Sequence, residues 1–241
     1  MVVQASVEDG YEGLVATFSQ ARESSPNLVL RGTIAMQSPW KEPDPATFDS
    51  LHALGVRSIR IHGPYGGADS QPETIRRLLR SLSCSFAVQS LGWSVSAQLP
   101  LHTWAELEGA LLSDPGLAGL RLIADHGGCA TPSDIGSGDL EAFLRLLQSR
   151  RLAVKVSALY RRSPDKIEAM GPIIQAFADA APDTLLWGSD WPHVDATAGG
   201  CELPPLRGPP DVARELQLLH SWLTEEQWRA MMEENPRSMF A

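Results

Sequence analysis

Two rhythms of apolar residues alternate along the chain. Short β-rich runs occur at Val2–Ser6, Leu28–Met36, Val56–His62, Trp93–Leu99, Leu120–Asp125, Ala153–Leu159 and from Leu185 onward, and these predict seven strands. Between them the spacing changes to that of amphipathic helices. Tyr11, Leu14, Val15 and Phe18 fall at i, i+3, i+4 and i+7. Phe48, Leu51 and Leu54 follow Asp44-Pro45 and stop at Gly55, and Ile75, Leu78, Leu79 and Leu82 follow Pro72. Thr103 and Glu106 have capping-box spacing at the start of a helix predicted to reach Leu112. Leu140, Phe143, Leu144 and Leu147 predict a helix over Asp139–Arg150, and Pro164 is expected to open one running to about Ala181. A Gly/Pro-rich stretch from Thr197 to Pro210 precedes helices from Asp211 and Thr224, the latter with a second capping box through Gln227.

Seven strand–helix units in strict alternation imply a parallel sheet with helices outside it. No G-x-G-x-x-G follows the first strand and no Walker motif occurs, so a doubly wound sheet is the second choice. The expected fold is α/β and TIM-barrel-like, a (β/α)8 pattern with seven units and the first strand missing, as one domain over residues 1–241.

Composition narrows the function classes. A net charge of −9, with no lysine or arginine cluster, argues against a nucleic-acid surface. No run of about 18 apolar residues is present, so no transmembrane helix is expected. Cys84, Cys129 and Cys201 form neither a CxxC pair nor a disulfide framework, which favours a reducing, cytoplasmic setting. A small anionic substrate remains open, because arginines gathered in one pocket outweigh an acidic exterior.

The candidate chemistry collects at predicted strand ends, the catalytic face of such a barrel. The stretch Leu185–His193 (LLWGSDWPH) ends a buried strand on an acid, Asp190, before Trp191-Pro192. Ser6, Arg60, His62, Gln98, His126, Arg161 and Arg162 occupy the other ends. An acid to activate water, a histidine to polarise a carbonyl and arginines to hold an anion make a coherent set. Each has an ordinary alternative: Asp190 caps a helix or pairs with an arginine, Arg60 pairs with an acid on the rim, and Arg161 and Arg162 form a solvated turn with one of them inward. His193 reads as a residue that orients Asp190 or caps the next helix, Trp93, Trp104 and Trp187 as core, and Cys129 as unreactive. Metal ligands are sparse: there is no H-x-H and no H-E-x-x-H, and His126 with Asp190 supplies two donors where a hydrolytic zinc site needs about three.

WGSDWPH, together with VVQAS, RGTIA, GVRSIRIH, LIADHGG, VKVSALYRRS and NPRSMF in this order, resembles the amidohydrolase superfamily. The resemblance is to its amidohydrolase-2 branch, the 2-pyrone-4,6-dicarboxylate lactonase-like proteins. It implies a distorted (β/α)8 hydrolase acting on a carboxylated lactone or similar cyclic ester. In it Asp190 activates water, His126 stands beside the scissile carbonyl, and Arg60, Arg161 and Ser6 bind substrate, with Gln98 added from its strand-end position. It implies no metal cofactor; a metal-dependent decarboxylase on the same scaffold, using zinc or manganese, is the alternative. Two departures stand out. The family's first strand with its H-x-H pair would precede Met1, which keeps an inactive truncated member as a further alternative. The residues after His126 are Gly127-Gly128-Cys129-Ala130, where relatives often carry Met-Gly-Arg/Lys-Pro.

Overall fold

The computed structural model describes residues 1–4, 10–36, 41–62, 71–195 and 204–241. Seven strands, β1 (Val2–Val3), β2 (Gly32–Ala35), β3 (Val56–Ile61), β4 (Ser94–Ala97), β5 (Leu122–Ala124), β6 (Leu152–Val156) and β7 (Leu185–Trp187), form one sheet in the order β1-β2-β3-β4-β5-β6-β7. Every neighbouring pair is parallel. The order never reverses, so among the described residues the sheet has no switch point of the doubly wound kind, and the fold is TIM-barrel-like with seven strands described, one fewer than eight.

Side-chain alternation separates the two faces. Leu122, Ala124, Val154, Val156 and Leu185 join the large core against the helices, which also contains Trp93, Trp104, Phe143 and Phe177. Their neighbours Ile123, Ala153 and Leu186 face the other way and pack with Phe240. Arg31, Arg57 and Arg121 donate to the main-chain carbonyls of Phe240, Ala241 and Ser238, so the C-terminal segment is tied to residues at the amino-terminal ends of β2, β3 and β5.

The strands are shorter than their apolar runs predict, and three local expectations are corrected. The helix over Leu101–Ser113 starts just after Pro100, which places Thr103 and Glu106 inside it, and no side-chain cap forms there. The strand expected to reach Leu159 stops at Val156, because Ala158 turns to φ 55° and Leu159–Arg162 is a short helix. The helix expected from Pro164 begins at Gly171 after a 3-10 turn, Ile167–Met170, with Pro172 in its first turn. The Thr224–Gln227 capping box forms as expected. No described helix is long and apolar enough to cross a membrane.

Candidate active site

The strands deliver their polar ends to one face. Of the six non-glycine residues with positive φ among the described residues, five (His126, Cys129, Ala158, Asp190 and His193) follow β5, β6 or β7 closely in sequence. Strain of this kind persists where the surrounding structure holds a side chain for use. His126 opens a left-handed run through Gly127, Gly128 and Cys129, with φ between 53° and 64°. Gly128 suits this run twice over, since a Cβ there would lie 2.5 Å from Phe143 Cε2.

An ionic node lies beneath the site. Asp125, 1% exposed, accepts from Arg60 Nε at 2.7 Å and from Lys155 Nζ at 2.5 Å. Burial opposes ionisation of Asp125, but Lys155 and Arg60 outweigh it and hold the carboxyl far below the usual range. Gly188 leaves room for the Lys155 stem, whose Cδ would stand 3.3 Å from a Cβ at that position. Arg60 then reaches outward: its Nη2 donates to Gln98 Oε1 at 3.2 Å and stands 3.4 Å from His126 Nε2.

His126 and Asp190 face each other above this node, with Nε2 and Oδ1 3.9 Å apart. Each is held from behind. His126 Nδ1 meets Ser157 Oγ at 2.9 Å, while Asp190 Oδ2 accepts from Tyr160 Oη at 2.7 Å and Arg161 Nε at 3.0 Å. With Ser157 donating to Nδ1 the ring proton stands on Nε2, facing the carboxylate; with Ser157 accepting it stands on Nδ1, and Nε2 accepts from Arg60. Burial pushes the imidazole down to about 4 against the pull of Asp125 and Asp190, so the ring is neutral at neutral pH. Burial works against the Asp190 charge too, but the carboxyl stays below the ordinary value, with the Tyr160 and Arg161 hydrogen bonds and the Arg161 charge favouring the carboxylate. His193 is buried and braces the turn: its N–H donates to Asp190 O at 3.1 Å and its Nε2 meets Ser189 O at 2.9 Å. The Trp191–Pro192 peptide in this turn is cis.

The structure therefore gathers Asp190, His126, Arg60, Gln98 and Arg161 at one place, and Ser6 lies outside the described residues. Arg161 is engaged by Asp190 and by Val194 O at 2.8 Å, and Arg60 by Asp125. Sequence reasoning missed Asp125, Lys155, Ser157 and Tyr160. A signal existed for one of them: a lysine inside the buried run LAVKV needs a partner. Its partner, 30 residues away in sequence, is named only by the fold.

No group of three or more His, Cys, Asp or Glu side chains converges among the described residues, and the guanidinium of Arg60 stands beside the histidine nitrogen that would ligate.

The amidohydrolase family model matches residues 31–241. The chain belongs to the amidohydrolase family. Among characterised amidohydrolases and their kin it is similar to the 4-sulfomuconolactone hydrolase of Hydrogenophaga intermedia, 26% identical over 156 residues that make up 62% of this chain and 47% of that protein. The chain thus spans about half the length of this curated relative. The fold of this amidohydrolase is shared with a structure from Pseudomonas putida described as a candidate 2-pyrone-4,6-dicarboxylic acid hydrolase, at a TM-score of 0.69 and 21% identity, covering 99% of this chain and 80% of that one. A structure from Acinetobacter baumannii described in the same way, with citric acid bound, superposes at a TM-score of 0.58 and 21% identity over 94% of this chain and 88% of that one.

Proposed function

We propose that this amidohydrolase opens a cyclic ester, a lactone bearing an anionic substituent. The observation that carries the reading is the opposed pair, Asp190 Oδ1 and His126 Nε2, 3.9 Å apart and each fixed through its other polar atom. Asp190, ionised at neutral pH, takes a proton from water as the oxygen attacks the acyl carbon. In the tautomer that has Ser157 donating to Nδ1, the Nε2–H of neutral His126 donates to the carbonyl oxygen and stabilises the charge that develops there. The ring C–O bond then breaks, and the leaving oxygen takes the proton that Asp190 holds, giving a hydroxyl or enol and a carboxylic acid, which loses its remaining proton to solvent. The names of the relatives support an anionic lactone as substrate class, and the cationic side chains at the mouth agree with it.

The donor set supports metal-free chemistry over the decarboxylase alternative. A panel of carboxylated lactones, followed by ultraviolet loss of the ring with and without chelator, tests both. The expected result is turnover insensitive to chelator and reduced by about 10²- to 10⁴-fold in Asp190→Asn. Turnover that needs added zinc or manganese, or that releases carbon dioxide, refutes the lactonase reading.

A further inference from the structure

Three arginines stand at the mouth of the site, and two are already committed to carboxylates, Arg60 to Asp125 and Arg161 to Asp190. Arg162 differs. Among the described residues it makes no ion pair, and its Nε is buried with no hydrogen-bond partner. A guanidinium keeps its charge at any physiological pH, so a buried, unanswered N–H on it is a standing demand for an acceptor.

Arg162 lines a cleft of about 500 Å³ together with Gln98, His102, Cys129 and Thr131. That volume suits a small molecule. The cleft adjoins the catalytic pair through shared residues. Gln98 accepts from the same Arg60 nitrogen that stands beside His126, and Cys129 ends the left-handed run that His126 begins. Arg162 itself ends the short helix that brings Tyr160 and Arg161 to Asp190. Asp134 and Asp139 also face the cleft. The Asp134 carboxylate is taken by the Thr131 N–H and hydroxyl, at 2.7 Å and 2.8 Å. These two acids oppose a second negative charge beside the first.

We propose that Arg162 anchors a single anionic arm of the substrate, a carboxylate or sulfonate, in this cleft, while Arg161 serves to hold Asp190. The assignment rests on the lactone reading for the identity of the substrate, but its binding test does not depend on turnover.

Coumalate, a 2-pyrone monocarboxylate, and its neutral methyl ester are suitable probes. Binding is measured by calorimetry in the Asp190→Asn protein, and occupancy of the cleft by protection of Cys129 from iodoacetamide, read on its own peptide by mass spectrometry. Coumalate is expected to bind and to slow Cys129 alkylation. Arg162→Ala should weaken coumalate binding about 10- to 100-fold and abolish the protection, while leaving methyl coumalate unaffected. Arg162→Lys should recover part of the affinity, because the charge remains and the planar fork is lost; it also guards against misfolding of the alanine variant. Absence of coumalate binding, equal affinity in Arg162→Ala, or an equal loss for the methyl ester overturns the anchor. Arg162-dependent binding with no hydrolysis of any lactone by the native protein would leave the anchor standing and overturn the proposed function.

Discussion

Replacing Asp125 with asparagine tests the node on which the site is built. The two side chains have nearly the same shape, so no cavity opens and the change is electrostatic. At an effective dielectric of about 20, unit charges 2.7 Å and 2.5 Å apart attract by roughly 6 kcal/mol each, and desolvation of the three ions offsets most of that. The variant loses the attraction while Arg60 and Lys155, each 15% exposed, stay desolvated beside each other. Breaking a buried pair in this way costs about 3–5 kcal/mol, which for a chain of this size lowers Tm by about 6–20 °C. Urea unfolding at pH 7, followed by tryptophan fluorescence, measures the loss directly. Because the native carboxyl titrates well below its ordinary 3.8, this contribution is full above about pH 4 and disappears only as pH falls through the depressed value. Adding Lys155→Met removes one stranded cation, so the double variant should be less destabilised than the sum of the single variants by at least about 1 kcal/mol. A loss under about 1 kcal/mol for Asp125→Asn, or strict additivity in the pair, refutes the reasoning.

Two further perturbations read other parts of the framework. Gly128→Ala puts a Cβ 2.5 Å from the Phe143 ring at φ +60° and should cost about 2–4 kcal/mol in urea unfolding, with hydrolysis falling too as His126 is displaced; a loss below about 0.5 kcal/mol would contradict the packing. Glu215 is buried, and that burial, with repulsion from Asp190, raises its carboxyl to about 7 from an ordinary 4.5. The native state therefore keeps a proton that the unfolded chain releases, and this group favours folding below about pH 4.5 and loses that effect as pH rises to about 7. Glu215→Gln should flatten that slope and melt higher than the native protein above pH 7, whereas parallel Tm–pH curves would rule the effect out.

Much of the architecture was legible in the chain alone. Alternating strand and helix rhythms with no dinucleotide or phosphate motif leave few arrangements for a parallel sheet, and the strand order found is the singly wound one they favour. The ends of β5 and β7 could be read because Asp125-His126 and Asp190 follow apolar runs, and Arg60 because polar and apolar residues mix along β3. The extent of each element was less legible, since apolar runs continue past the last ladder bond into turns that also need burial. Thr103-x-x-Glu106 has the right spacing for a cap, but Pro100 starts the helix earlier, and local propensity yields to that restriction.

What only the tertiary structure decided is which charge meets which. Asp125 and Arg60 are 65 residues apart in sequence, and their contact exists because β4 alone separates β3 from β5 and the relevant side chains share one face of the sheet. For the same reason neighbouring residues in Tyr160-Arg161-Arg162 take different partners: the first two reach Asp190, and the third lines the cleft, with its Nε buried and unanswered among the described residues. Residue types and periodicity are local and specify strands, helices and the chemistry available to them. Pairing energies act across strands and depend on register, which no single stretch of the chain contains.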